Sequence, residues 1–133
     1  MATVLQQDTA ALLRNTLKAN VFASTLSGAV MIVGAGALAP FMGIDHPAYL
    51  VVLGIGILMF AFAVFRIASE KPLDARKGQI IFVLDVVWVV GSILLLLADP
   101  LTFTNEGKWV VLILADIVGM LALGEFLGVR RLS

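Results

Sequence analysis

Four stretches of this chain are apolar at almost every position: residues 19–39, 48–68, 79–98 and 109–129. Each matches the roughly 20 residues a helix needs to cross about 30 Å of hydrocarbon. The breaks between them carry turn chemistry. Pro40 closes the first stretch, and HPAY at 46–49 opens the second with a proline where its missing N–H costs little. KPLDARKG at 71–78 and DPLTFTNEGK at 99–108 form the other two connections. These links are short, so consecutive helices are expected to lie antiparallel and adjacent. The expected fold class is an all-α membrane protein: an antiparallel four-transmembrane-helix bundle with an N-terminal interfacial helix. That helix is residues 1–18, MATVLQQDTAALLRNTLK, where Leu5, Leu12, Leu13 and Leu17 fall loosely on one side. The chain thus divides into a cytoplasmic amphipathic leader, 1–18, and a four-helix transmembrane domain, 19–133.

Within the spans, small and polar residues recur at helical spacing. Asn20, Ser24, Ser27, Met31 and Gly34 form one stripe on span one. Gly54, Ala61 and Ala68 recur every seventh residue on span two, and Gly78, Asp85 and Ser92 do so on span three. Such stripes let membrane helices approach closely and hydrogen-bond, so they are expected to face one another and turn Asp85 inward.

Depth gathers a second set. At about 1.5 Å per residue, Asn20, Arg66, Asp85 and Glu125 all lie within roughly 12 Å of one boundary, one on each helix. An arginine can satisfy two carboxylates, so Arg66 is expected to hold Asp85, with Asn20 nearby. The cluster is read either as structural glue that fixes register or as a proton-handling or substrate-binding site. On span four, Asp116 and Glu125 are nine residues apart and so on opposite faces, at about 100° per residue. Asp116 lies about 20 Å from the same boundary and is the candidate proton site. Gly124 and Gly128, in GEFLG, form a close-packing pair, and Ala115 with Gly119 forms another on a different side. Two packing faces point to a neighbour outside the bundle, and Glu125 has the alternative of snorkelling to the interface.

Composition agrees with the pattern. Charged residues make up 14% of the 133-residue chain against about 25% in a soluble domain, so too little polar surface exists to coat a globule. A net charge of zero argues against nucleic acid as a partner. With no cysteine, disulfides, thiolate metal sites and thiol redox chemistry are excluded. His46 is the one histidine, too few for bis-histidine haem, and it sits with Asp45 in an outer turn. No catalytic residue, cofactor-binding residue or metal ligand is assigned, and no cofactor is expected.

Charge also sets direction. Arg14, Lys18, Arg66, Lys71, Arg76, Lys77, Arg130 and Arg131 fall on one side of the expected bundle, leaving only Lys108 on the other. By the positive-inside rule both termini are cytoplasmic, and the expected location is the bacterial inner membrane, multi-pass. Trp109 and Tyr49 then mark the outer interface. Arg14, Lys18 and the ALA at 37–39 also resemble a signal peptide and its cleavage site, but the charged leader is long and a proline follows the cut.

LDVVWVVGS at 84–92, ADPL at 98–101 and GVRRL at 128–132 resemble a group of small bacterial four-helix integral membrane proteins. The likeness covers the four spans and implies no particular activity. The functional expectation is a non-enzymatic inner-membrane protein acting through helix–helix contacts, as an accessory or assembly subunit or a homo-oligomer. Its partners would be membrane lipids and another membrane protein, or a second copy through span four. The alternative is a small proton-coupled transporter or channel using Asp116, or Asp85 with Arg66.

Overall fold

The computed structural model of the chain describes residues 2–99 and 103–132, with the side chains of 10–99 and 103–131. Among these residues it is all-helical, with five helices: α1 (Ala2–Val33), α2 (Ala35–Met42), α3 (Pro47–Ala68), α4 (Ala75–Ala98) and α5 (Asn105–Leu132). Four segments are long and apolar enough to cross a membrane: Ala10–Val33, Pro47–Ala68, Ala75–Ala98 and Asn105–Arg131.

The first expected span is the one the structure redraws most. Helix α1 passes residues 18–19 without a break, and Leu13 and Leu17 are fully buried. Of the leucines assigned to the leader's apolar side, Leu5 lies outside the described side chains. The helix is interrupted at Gly34 rather than stopped by Pro40, which lies inside α2. Gly34 still donates to the Val30 carbonyl at 2.8 Å, and Leu38 donates back to the Gly34 carbonyl at 2.8 Å. The interruption is therefore local: Gly34 departs from helical dihedrals with φ −95° and ψ 10°, while the hydrogen-bond ladder runs on through it. Gly43 ends α2 with φ 83°, a left-handed conformation that suits glycine. The Ile44 N–H reaches the Ala39 carbonyl at 2.7 Å and the Gly43 N–H reaches the Pro40 carbonyl at 3.2 Å, satisfying carbonyls the helix end would leave open.

The other helix starts follow their caps. Pro47 occupies the first turn of α3, as HPAY implies. The Asp74 side chain accepts from the Arg76 N–H at 2.9 Å, which starts α4 at Ala75, four residues before the expected span. Thr104 caps α5, accepting the Gly107 N–H on its hydroxyl at 3.0 Å. That hydroxyl donates to the Phe41 carbonyl at 2.6 Å, and the Thr104 N–H donates to Met42 at 3.0 Å. The start of α5 is thereby pinned to the end of α2.

Packing is uneven. Helix α1 lies against α3 and α5, and α5 lies against α4, but α3 and α4 touch only sparingly. The expected adjacency of spans two and three is thus the exception among consecutive spans, short link notwithstanding. A link of residues 69–74 can stretch to about 20 Å, so it does not force pairing. Helices α1 and α3 meet at Gly28 and Gly54, where a Cβ on either glycine would fall 2.9 or 2.8 Å from the other's carbonyl oxygen. At one end the Arg14 guanidinium donates to the Ala68 carbonyl at 3.2 Å and the Glu70 carbonyl at 2.7 Å, binding α1 to the close of α3.

Two hydrophobic clusters close the two ends of the bundle. One joins Leu13 and Leu17 of α1 to Val64 and Ala68 of α3, Ile81 of α4 and Leu73 of the link. The other joins Met31, Ala35, Ala39 and Met42 to Leu50 and Phe103, with Leu95 and Val110 packed against it. Between them lies the layer that holds the buried polar groups.

Candidate functional site: a buried acid pair beside a cavity

Asn20 organises this layer. It is 1% exposed, and its Nδ2 donates to Asp85 Oδ2 at 2.8 Å and to Glu125 Oε2 at 2.9 Å. Its own carbonyl oxygen accepts from Ser24 Oγ at 2.8 Å, one turn further along α1. Side chains from α1, α4 and α5 thus converge on one point. Asp85 is 4% exposed and Glu125 is fully buried. The two carboxyl groups also interact with each other directly. Among the described residues Glu125 Oε1 has no donor, and the buried indole nitrogen of Trp88, one turn from Asp85, has no acceptor.

The sequence places Asn20, Asp85, Glu125 and Arg66 in one layer, and the structure brings together the first three. Arg66 is a correction. It is exposed on the last turn of α3, and among the described residues Asp85 and Glu125 interact with each other and with Asn20 but with no lysine or arginine. Two residues separate Arg66 from Ala68, about 200° around the helix, so burying Ala68 turns Arg66 outward. Its long side chain also favours the α3 C-terminus and the polar boundary over the interior. An amide that donates twice replaces the expected ion pair.

Asp116 and Glu125 point to opposite sides of α5. Glu125 faces the interior, whereas Asp116 is exposed on the outside of the bundle, so it does not reach Ser92 or the acid pair. Ser92 instead donates to the Trp88 carbonyl at 2.8 Å. Gly124 and Gly128 pack against α1 of the same chain. A Cβ on Gly124 would meet Thr16 Oγ1 at 2.8 Å, and one on Gly128 would meet Leu13 Cα at 2.7 Å. Their close approach is made within the chain and brings Glu125 up to Asn20. Around Gly119, by contrast, the space is open.

Beside the acid pair lies a cavity of about 440 Å³, which the sequence reading does not foresee. All four long helices line it: Asn20, Ser24 and Ser27 from α1; Leu53, Gly56 and Phe60 from α3; Asp85 and Trp88 from α4; Leu114, Val118 and Leu121 from α5. Its wall is apolar except for Asn20, Ser24, Ser27, Asp85 and the Trp88 indole. Val52, Gly56 and Leu84, also in the lining, are exposed, which sets the mouth on the side where α3 and α4 part. The signal for the cavity was a pair of small residues, Gly56 and Ala23, but a small residue marks close packing as often as a void. Among the described residues no three His, Asp or Glu side chains come together to hold a metal ion.

No family model, curated protein or solved structure matches the chain. The reading of its function therefore rests on the geometry above.

Proposed function

We propose that this multi-pass membrane protein takes a small hydrophobic molecule from the bilayer into the cavity between α3 and α4, as a binding or carrier protein and not an enzyme. The observation that carries this is an apolar cavity of ligand size, open to the side, with Asp85 and Asn20 in its wall. A few polar groups in an otherwise apolar lining fix a ligand's orientation. The hydrophobic clusters above and below favour a carrier over a channel, because a continuous polar path would have to cross them.

The cavity's use can be tested by filling it. A Cβ on Gly56 meets nothing within 4 Å, so Gly56→Trp can place an indole in the mouth without disturbing the helices. In lipid nanodiscs, a neutral aromatic probe such as triphenylphosphine oxide is expected to bind the wild-type chain and to bind Gly56→Trp about ten-fold more weakly, a difference of about 1.4 kcal/mol. Equal partition into empty nanodiscs, wild type and variant would remove the proposal.

In the proposed orientation the four long helices alternate up and down across a bacterial inner membrane, with both termini and the residues 1–18 region on the cytoplasmic side. The support is the one-sided distribution of lysine and arginine. Reporter fusions at residues 44 and 104 are expected to read external, and fusions at 73 and after the last residue cytoplasmic. An external C-terminus would overturn the orientation.

A further inference from the structure

We propose that the ligand of this cavity is a lipophilic organic cation, which enters sideways from the bilayer between α3 and α4 and sets its charge against Asp85. The inference rests on the reading of the cavity as a ligand site and names the class of molecule it takes.

Asp85 and Glu125 are two acids served by one amide, and among the described residues their contacts include no lysine or arginine. One carboxyl oxygen of Glu125 is buried with no donor among the described residues. Buried membrane carboxyls are ordinarily matched by a basic side chain or by donors enough to satisfy them. The expected match, Arg66, lies exposed on α3. The site is thus short of positive charge on the side where Asp85 meets the cavity. An anionic ligand would add to the imbalance, and a cation would relieve it.

Phe60 and Trp88 present aromatic surface in the same cavity as Asp85, and aromatic faces attract cations that have shed water. Leu53, Leu114 and Leu121 supply the remainder, a surface that accepts hydrocarbon and rejects a hydrated ion.

Hydrophobic clusters close both ends of the bundle, whereas Val52, Gly56 and Leu84 are exposed at the lateral mouth. An inorganic cation would have to leave its water and cross the hydrocarbon to arrive there. A cation carried on its own apolar surface already resides in the membrane.

The test is binding of tetraphenylphosphonium to the whole chain in nanodiscs. Tetraphenylborate serves as the probe of like shape and opposite charge, and triphenylphosphine oxide as the neutral one, with empty nanodiscs as background. The wild-type protein is expected to bind the phosphonium about ten-fold more tightly than the neutral probe, with the borate weakest. Asp85→Asn keeps an acceptor for Asn20 and removes the charge. It is expected to abolish the cation's advantage, bringing the phosphonium to the neutral probe's affinity for the same variant. Glu125→Gln leaves Asp85 and its Asn20 amide in place and is expected to retain the cation's advantage, since two carboxyls in contact hold one negative charge between them. Gly56→Trp is expected to weaken both probes together. If the phosphonium and the borate bind alike, or if Asp85→Asn retains the cation's advantage, the cation assignment fails while the cavity stands. If no probe binds the wild-type chain above background, the cavity reading fails and the cation assignment fails with it.

Discussion

Replacing Asn20 with leucine is expected to destabilise the protein by about 3 kcal/mol, because the change strands two buried acids at once. The leucine is close to asparagine in size, so the main loss is of donors and not of packing. Asp85 Oδ2 and Glu125 Oε2 lose the amide that serves both, and Glu125 Oε1 has none to begin with. A single hydrogen bond between membrane helices contributes only about 0.6 kcal/mol on average, so the magnitude distinguishes two cases. A loss near 3 kcal/mol means that the amide holds the pair; a loss near 0.6 kcal/mol would mean that the acids find other donors, and this account of the layer would be wrong. Thermal unfolding in mild detergent reads the difference. Combining Asn20→Leu with Asp85→Leu and Glu125→Met is expected to recover most of the loss, since an apolar replacement of a whole buried polar group is often neutral or better.

The second large effect is expected at Gly128. A leucine there would start with a Cβ 2.7 Å from Leu13 Cα and 2.8 Å from the Leu13 nitrogen. Backbone cannot rotate away as a side chain can, so α5 must move off α1, taking Glu125 away from Asn20. Gly128→Leu should therefore cost about 2–3 kcal/mol in the same unfolding measurement. Gly119→Leu, on the open side of α5, should stay within about 0.5 kcal/mol. Sizing of the two variants separates contacts within the chain from contacts between chains. If Gly119→Leu changed the assembly and Gly128→Leu left stability untouched, α5 would be joining copies through its outer face.

What the sequence made legible was local. A repeat of seven on a helix returns to nearly the same face, and Gly54, Ala61 and Ala68 are buried, as are Gly78, Asp85 and Ser92. The four apolar helices were readable from the length of the hydrophobic stretches alone. Arg66 was misplaced because depth along an axis says nothing about direction around it. The same wheel that buries Ala68 turns Arg66 outward, and that signal was present in the sequence. Glu125 likewise shares its face with Ala122 and Gly128, three residues either way, and both are buried. The interruption at Gly34 and the parting of α3 from α4 were not legible in this way. Both depend on how distant segments share space, and neither leaves a period in the sequence. The cavity follows from that parting.

The hydrogen bonds of Asn20 also set an order of events during synthesis. Its partners lie 65 and 105 residues further along the chain. At about 5–20 residues per second, the ribosome takes roughly 5–20 s to progress from Asn20 to Glu125. Until Asp85 emerges the first span carries an unmatched amide, and from Asp85 to Glu125 the nascent chain holds one acid of the pair without the other. The last helix completes the layer, so a chain that stalls or is truncated before α5 leaves the third span with a half-matched carboxyl. Membrane quality control would meet such a fragment as a helix with a polar side still open, and the finished protein as one with that side shut.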